Sequence, residues 1–220
     1  MKQTIAIIGA AGTMGSGIAR NLTKAGHRVL LAGPTKEKLT GLLANIKANT
    51  PKADVEILDC SHEASWEADV IIPAVPYSAQ PDVAERIRDV VTGKIVLSIV
   101  NPLNATYDGL VTDPTTSGAE EFAKLLPHSK IVKSFSTVFG ADFNTPNIGG
   151  KTVDCFVAGD DDEAVATVSQ LVMDAGFNPV VAGKLPVSRT LENMMVLLIG
   201  LAMKSNYNGL AGWKVLHEAA

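Results

Sequence analysis

The fold is decided by the stretch Ile5-Ala6-Ile7-Ile8-Gly9-Ala10-Ala11-Gly12-Thr13-Met14-Gly15. An apolar run of strand character ends in glycines spaced three residues apart, and an amphipathic helical pattern begins directly behind them. A helix N-terminus offers unpaired N–H groups and a partial positive charge, and glycine lets a phosphate approach the backbone closely. The order of strand, glycine turn and helix therefore predicts a site for a dinucleotide pyrophosphate. The expected contacts are Gly9, Ala10, Ala11, Gly12, Thr13 and Met14.

The spacing of this turn differs from the usual dinucleotide fingerprint. The usual pattern is G-x-G-x-x-G, whereas this chain reads G-x-x-G-x-x-G. Glycine turns at strand ends also serve plain helix–sheet packing, and that interpretation stays open on this stretch alone.

Length and charge set bounds on the fold and on its partners. The 220 residues suffice for one full core, or for one domain with a small appendage. A formal net charge of −4 offers no basic surface, so we expect neither nucleic acid nor an anionic membrane as a partner. The longest apolar run, 194–203, is shorter than the roughly 20 residues of a membrane helix.

Compartment and metal content follow from the N-terminus, the cysteines and the histidines. The N-terminus leads directly into the first strand pattern, so we expect no leader segment and a cytoplasmic protein. Cys60 and Cys155 form neither a disulfide framework nor a metal-ligand pattern, and we expect two buried thiols. Four isolated histidines are expected at surface or capping positions rather than as catalytic bases: His27, His62, His128 and His217.

Strand and helix patterns alternate from end to end, which predicts the α/β class. We expect a Rossmann-type, doubly wound and mostly parallel sheet (residues 1–140) with a small C-terminal α/β extension (141–220). After the first strand, strands are predicted at 28–32, 54–58, 69–75, 95–100, 130–135, 152–158 and 179–182. Helices are predicted around 14–25, 39–46, 82–91, 117–126, 161–175 and 188–204. Because proline cannot donate to a strand ladder, Pro73 should lie where the pairing of its strand ends.

The connections carry further expectations. Two irregular loops are predicted, at 101–116 and 136–150, and loops this long in compact domains are usually functional or disordered. Ser117 and Glu120 have the spacing of a capping box that begins a helix. A short helical tail is expected at the end of the chain.

The end of the second strand bears on the choice between NAD and NADP. NAD enzymes place an acidic residue there to bind the ribose 2′-hydroxyl, and that acid would repel a 2′-phosphate. This chain instead has a turn followed by a hydroxyl and two lysines, which favours NADP(H): Gly33, Pro34, Thr35, Lys36 and Lys38. The alternative is a solvated helix start with ordinary surface lysines.

Common catalytic motifs are missing from the sequence, which has no G-x-S-x-G, no H-E-x-x-H and no tyrosine followed four residues later by lysine. Hydride transfer between two ring cofactors needs proximity and water exclusion more than a protein acid. One pattern favours a different enzyme: Gly200, Lys204 and Asn208 have the spacing of the catalytic-lysine segment of β-hydroxyacid dehydrogenases. In those enzymes a large helical domain follows this segment, whereas here only twelve residues do.

The apolar helix that begins at Ser188 is expected to have two roles. One face should pack over the cleft, and another should be buried in a homodimer, because an exposed apolar patch favours association. Arg189 and Glu192 lie three residues apart and are expected to pair with each other. The alternative is a plain core helix in a monomer.

Seven segments in order resemble the family of NADPH-dependent reductases of the deazaflavin coenzyme F-420, in its shorter bacterial form, and the resemblance covers essentially the whole chain. The segments are Gly9-Ala-Ala-Gly-Thr-Met-Gly15, Ala74-Val-Pro-Tyr77, Asn101-Pro-Leu-Asn104, Thr116-Ser-Gly-Ala-Glu-Glu121, Val132-Lys-Ser-Phe-Ser-Thr-Val-Phe139, Val157-Ala-Gly-Asp-Asp-Asp162 and Ser188-Arg-Thr-Leu-Glu192. The resemblance implies a Rossmann fold and hydride transfer between NADP(H) and a small acceptor.

The resemblance also implies roles for individual residues. Thr35 with Lys36 or Lys38 would meet the 2′-phosphate. The nicotinamide ribose would be bordered by Val75, Pro76 and Asn101, and the acceptor ring would be faced by Ser136, Thr137 and Val138. Family members often have Ser-Arg where this chain has Gly33-Pro34, and a histidine of archaeal members corresponds to Ser136.

Together, these observations predict an NADP(H)-dependent oxidoreductase that passes a hydride to a deazaflavin, a flavin or a similar acceptor, with Arg189 near the acceptor. The alternative from another class is a non-catalytic NADPH-binding module that reports redox state to a partner. The helix from Ser188 distinguishes the two, because a helix that roofs the nicotinamide creates a second pocket.

Overall fold

The computed structural model describes residues 2–207, 209–216 and 218, which form an α/β fold around one large sheet. The strands are β1 (Thr4–Ile8), β2 (Arg28–Ala32), β3 (Val55–Ile57), β4 (Val70–Pro73), β5 (Ile95–Ser98), β6 (Lys130–Lys133), β7 (Asn147–Ile148), β8 (Lys151–Thr152), β9 (Asp154–Gly159) and β10 (Asn178–Gly183). The helices are α1 (Thr13–Lys24), α2 (Lys36–Asn49), α3 (Ser61–Glu67), α4 (Gln80–Ile87), α5 (Gly118–Leu125), α6 (Asp162–Asp174) and α7 (Ser188–Ser205).

Both faces of the sheet are buried, which explains the continuous apolar run of β1. Ile5 and Ile7 point into one core, whereas Ala6 and Ile8 point into the other. Successive side chains of a strand alternate between faces, so a central strand covered on both sides must be apolar throughout.

The strand order places the glycine turn at the centre of the sheet. The eight-stranded sheet runs β10-β9-β6-β5-β4-β1-β2-β3, and the first six strands of the chain are parallel to one another. The chain order reverses between β1 and β4, and ligands bind outside the carboxyl ends of strands at such a switch point. The predicted Rossmann-type sheet is confirmed, and Pro73 is the last residue of β4, as expected.

The C-terminal part continues the same sheet. β9 lies antiparallel to β6, and β10 lies parallel to β9. The division at residue 140 therefore corresponds to no break in the sheet, and the two-part organisation stays a prediction.

Several sequence-based expectations were wrong. Cys60 is exposed at the start of α3, and only Cys155 is buried, because its strand lies inside the sheet. His27 is buried rather than at the surface: it contacts Asp174 at 2.8 Å and accepts the Gln3 N–H. The predicted loop 136–150 contains a 3₁₀ turn (Gly140–Phe143) and leads into the β7–β8 hairpin.

The tail after α7 also differs from the expectation. Its described residues are not helical, and Trp213 instead forms a bridge with Asp154 at the start of β9. Asn208 and His217 lie outside the described residues. By length and composition alone the segment 185–205 could cross a membrane, but 33% of it is buried here, and the core helices of water-soluble folds pass the same test.

Candidate functional site

The glycine turn between β1 and α1 is held against β2 and β4. The N–H groups of Gly9 and Ala10 both donate to the Ala32 carbonyl, at 2.8 and 3.1 Å. Gly9 has a φ of +85°, and a Cβ there would collide with the Ala74 carbonyl oxygen. Only glycine satisfies both constraints, because side chains rarely adopt positive φ and here one has no space.

The N-terminus of α1 is open toward a ligand. Gly12 is its N-cap residue, and no side chain caps the helix. Gly12 and Thr13 are exposed, and both line the adjoining cleft. The first N–H groups of a helix have no intrahelical acceptor, so this end can bind a phosphate through its backbone. The residues present therefore fit a dinucleotide pyrophosphate.

The end of β2 lies beside this turn but outside the cleft. A Cβ built at Gly33 would be 3.8 Å from the Gly9 Cα, which places the Gly33-Pro34 turn against the glycine turn. Thr35 begins α2 without capping it, so its hydroxyl makes no cap hydrogen bond. Lys36 forms an exposed ion pair with Asp59 at 3.3 Å, and Lys38 is exposed on the same helix. The structure thus places Thr35, Lys36 and Lys38 at the start of α2, on the side of the glycine turn where β2 ends.

A cleft of about 440 Å³ opens at the carboxyl ends of the central strands. Its volume lies within the range of roughly 300–1,000 Å³ that is usual for small-molecule sites. Residues that the sequence predicts to contact the nucleotide or the acceptor meet there, together with α7: Met14, Val75, Pro76, Asn101 and Val138. The lining residues are Gly12, Thr13, Met14, Ala74, Val75, Pro76, Ile99, Val100, Asn101, Leu103, Phe135, Val138, Phe139, Gly140, Met195 and Ile199.

Asn101 is the main polar group of the cleft. Its Nδ2 donates to the Ser136 carbonyl at 2.8 Å, which fixes the amide, and its buried Oδ1 has no partner in the described structure. Val138 lines the cleft beside it, whereas Ser136 and Thr137 are buried behind the wall with unpartnered hydroxyls. The structure thus brings Asn101 and Val138 together at the cleft and places the two hydroxyl residues one layer deeper.

Helix α7 forms the roof of the cleft. Met195 and Ile199, one turn apart, both line it, so the helix covers the cleft from one side. Arg189 lies outside the lining and donates to both oxygens of Glu120, at 2.8 and 2.5 Å. These bonds hold the pKa of Glu120 below its usual range.

The expected pairing of Arg189 with Glu192 is wrong. Arg189 turns outward to α5, whereas Glu192 is buried and pairs with Lys133 at 2.8 Å. Ser117 caps α5 as predicted, but Glu120 accepts from the Ser117 hydroxyl and from Arg189. Glu120, which the capping-box pattern assigned to the helix start, thus also binds Arg189, a residue distant in sequence.

No titratable side chain lines the cleft in the described part of the chain, and the titratable groups with shifted pKa values lie outside its lining. The hydrogen bond to Glu121, together with burial, raises the pKa of Tyr77 to about 12. Burial raises the pKa of Asp142 to about 6, although its Oδ2 accepts the Phe139 N–H at 2.7 Å. Among residues 2–207, 209–216 and 218, no group of three or more His, Cys, Asp or Glu could hold a metal ion.

Sequence reasoning missed part of the lining and the buried ion pair. Gly140 approaches α1 so closely that a Cβ there would lie 2.5 Å from the Thr13 Cγ2. Gly140 itself, a glycine inside the predicted loop 136–150, was the feature of the sequence that could have indicated this close contact. The pairing of Lys133 with Glu192 had no local signal, because 59 residues separate the two.

Lys204 does not reach the cleft. It is exposed near the end of α7, and it is absent from the lining residues. Its predicted partner Asn208 lies outside the described residues. The described geometry therefore brings no lysine to the cleft for the chemistry of a β-hydroxyacid dehydrogenase.

Comparisons with known proteins agree with this geometry. A solved structure described as a candidate F420-dependent NADP-reductase from Arthrobacter sp. FB24 has a TM-score of 0.83 at 22% identity, and covers 98% of this chain and 100% of that one. At that identity the likeness shows the fold alone.

The sequence relatives carry the family assignment. The profile of the family described as "NADP oxidoreductase coenzyme F420-dependent" matches residues 4–102. The F420-dependent NADP reductase of Methanothermobacter marburgensis is 25% identical, over 91% of this chain and 93% of that protein. The protein of the same name from Methanocaldococcus jannaschii is 33% identical, over 93% of this chain and 95% of its own length. The chain belongs to the family of F420-dependent NADP oxidoreductases.

Proposed function

We propose that this protein transfers a hydride between NADP(H) and the deazaflavin coenzyme F420. The observation that carries the proposal is the apolar cleft that begins at the uncapped N-terminus of α1 and ends under α7. Relatives of nearly the same length share the name F420-dependent NADP reductase, which supports this acceptor.

The glycine turn and the start of α2 provide the nucleotide side of the site. The backbone of Gly9–Met14 binds the pyrophosphate, and Thr35, Lys36 and Lys38 bind the 2′-phosphate. Val75, Pro76 and Asn101 border the nicotinamide ribose. The nicotinamide supplies the hydride when NADPH is bound, and these residues orient its ring toward the centre of the cleft.

The acceptor side lies between Val138 and the roof formed by α7. Apolar side chains exclude water from this space, and Asn101, whose amide is fixed by the Ser136 carbonyl, is the polar side chain at its edge. Ser136 and Thr137 support this wall from behind, and Arg189 holds the start of α7 through Glu120.

Reduction of a deazaflavin consumes a proton as well as a hydride. No titratable side chain lines the cleft in the described residues, so we assign this proton to solvent at the edge of the cleft and not to a side chain. The protein therefore contributes orientation and exclusion of water rather than acid–base chemistry.

The proposal is tested by mixing purified protein with NADPH and F420 and following the loss of the visible absorbance of the deazaflavin. We expect turnover with F420 that exceeds turnover with FMN or riboflavin. NADPH binding without turnover of any of the three would support instead the non-catalytic redox-sensing module.

We further propose that the protein is a cytoplasmic homodimer. Leu197 and Leu201, one turn apart on the outer face of α7, are 54% and 40% exposed, and a second copy would cover them. The free Cys60 and Cys155 are compatible with a reducing compartment. Sedimentation at micromolar concentration should show a dimer that Leu197→Glu disrupts, and a monomeric wild type would reject the interface.

A further inference from the structure

The ion pair between Lys133 and Glu192 is completely buried. Lys133 is the last residue of β6, Glu192 lies in the second turn of α7, and both side chains have 0% exposure. Burial lowers the pKa of Lys133, and the neighbouring Glu192 opposes that effect. A buried charge pair is weak evidence for added stability, because desolvation offsets the attraction between the charges. Its place in the fold indicates another role.

The remaining hydrogen bonds of this pair lead to the start of α5 and to Val100, which lines the cleft. The Glu192 carboxylate accepts the N–H groups of Gly118 and Ala119 at the start of α5, at 3.0 and 3.3 Å. Lys133 also donates to the carbonyl of Val100. Val100 lines the floor of the cleft and precedes Asn101, so the pair connects the floor, α5 and α7.

The spacing along α7 connects the pair to the roof. Glu192, Met195 and Ile199 lie three and seven residues apart on one helical face. Glu192 is fixed to β6 through Lys133, which also donates to the Val100 carbonyl, and Met195 and Ile199 line the cleft. A rotation or shift of α7 would move all three together, so the pair sets the distance between roof and floor.

We propose that Lys133 and Glu192 are positioning residues that hold the roof of the cleft over its floor and thereby set the geometry of the acceptor site. The consequence for catalysis rests on the proposed hydride transfer to F420. The glycine turn that binds the nucleotide lies on β1 and α1, which neither residue contacts through a hydrogen bond or ion pair. Loss of the pair should therefore affect the acceptor far more than NADPH.

The test compares K133M, E192Q and the double variant K133M/E192Q. Each single variant leaves one uncompensated buried polar group, so both should melt below the wild type. The double variant removes both charges and should recover much of the melting temperature. It should still show a KM for F420 raised by about ten- to hundredfold, because a displaced roof loses contacts with the bound acceptor, with the Kd for NADPH within twofold.

Two additions keep the outcome clear. D174N, which removes the charge of the partly exposed partner of the buried His27 at the opposite end of the strands, is the control for lost stability without a change at the cleft. K133R keeps the charge and the donors but alters the spacing, so it should fold and still raise the KM for F420. Amide hydrogen exchange across 193–199 should speed up in K133M/E192Q and stay unchanged in D174N.

The inference is overturned if the double variant melts like the wild type and reduces F420 with a wild-type KM. It is also overturned if NADPH affinity falls by the same factor as the F420 KM rises, because that marks a general structural role. If the wild type itself does not reduce F420, the proposed function fails. The exchange measurement then still decides whether the pair holds α7.

Discussion

Gly15→Ala should weaken nucleotide binding because the glycine turn leaves no space for the added methyl group. Gly15 lies in the first turn of α1, and a Cβ there would be 2.6 Å from the Gly9 carbonyl oxygen and 2.9 Å from the Ala10 Cα. Ordinary contact begins at 3.4 Å, and both obstructing atoms belong to backbone that is hydrogen-bonded to β2. The start of α1 must therefore move away from the turn.

The expected magnitudes follow from these contacts. Overpacking of this kind costs about 1–3 kcal/mol, and the better helix propensity of alanine returns up to about 1 kcal/mol. A net loss of about 1–2 kcal/mol lowers the melting temperature by about 2–8 °C in a chain of this size. Displacing one backbone N–H from a charged phosphate costs about 1.5–3 kcal/mol, which corresponds to a Kd for NADPH raised by about ten- to hundredfold.

Gly41→Ala is the matched control, because Gly41 lies inside α2 with no atom within 4 Å of an added Cβ. It should raise the melting temperature by about 2–4 °C, since alanine favours the helix, and leave the Kd for NADPH unchanged. Calorimetry and fluorescence titration of NADPH measure both quantities. A Gly15→Ala protein that binds NADPH within twofold of the wild type would refute the reasoning.

Three further predictions concern the lysines at the start of α2, Asp142 and Lys204. The double variant Lys36→Ala/Lys38→Ala should raise the Kd for NADPH about tenfold and leave the Kd for NADH unchanged, because charge-assisted contacts to the 2′-phosphate are lost. Equal increases of the two Kd values in titrations would contradict this. The pKa of Asp142 rises from an ordinary 3.8 to about 6, so its ionisation destabilises the fold as pH rises through 6. Asp142→Asn should therefore melt at a higher temperature than the wild type at pH 8, by the equivalent of about 1–3 kcal/mol, and at the same temperature as the wild type at pH 4. A gap that is independent of pH would show that Asp142 does not titrate this way. Lys204→Met should change neither NADPH affinity nor F420 turnover, and oxidation of a short 3-hydroxyacid that requires Lys204 would overturn that assignment.

The sheet and the glycine turn could be predicted from sequence because their causes are local. The buried run of β1 and the glycines behind it impose strand, turn and helix within a few residues. The alternation of strands and helices then indicates a parallel sheet whose carboxyl ends form the ligand side. This is why Val75, Asn101 and Val138 lie around one cleft as expected.

The partners of buried polar groups could not be predicted, because they depend on contacts distant in sequence. Arg189 and Glu192 have a spacing typical of a helical pair, yet the helix buries one of them against β6. Since Lys133 and the N–H groups of α5 surround Glu192, they outcompete its neighbour Arg189. His27 is a similar case, since its partner Asp174 lies 147 residues away.

The most direct test of the proposed function is the fate of deuterium carried at C4 of the nicotinamide. Protein is mixed with F420 and, in separate reactions, with NADPH labelled on either face of C4, and the reduced deazaflavin is isolated for mass spectrometry. The proposed function predicts that one of the two labels appears at C5 of the reduced deazaflavin, because direct hydride transfer carries the C4 hydrogen to the acceptor without exchange with solvent. Reduced deazaflavin that contains only solvent hydrogen from both labelled forms, or no reduction at all, would contradict it.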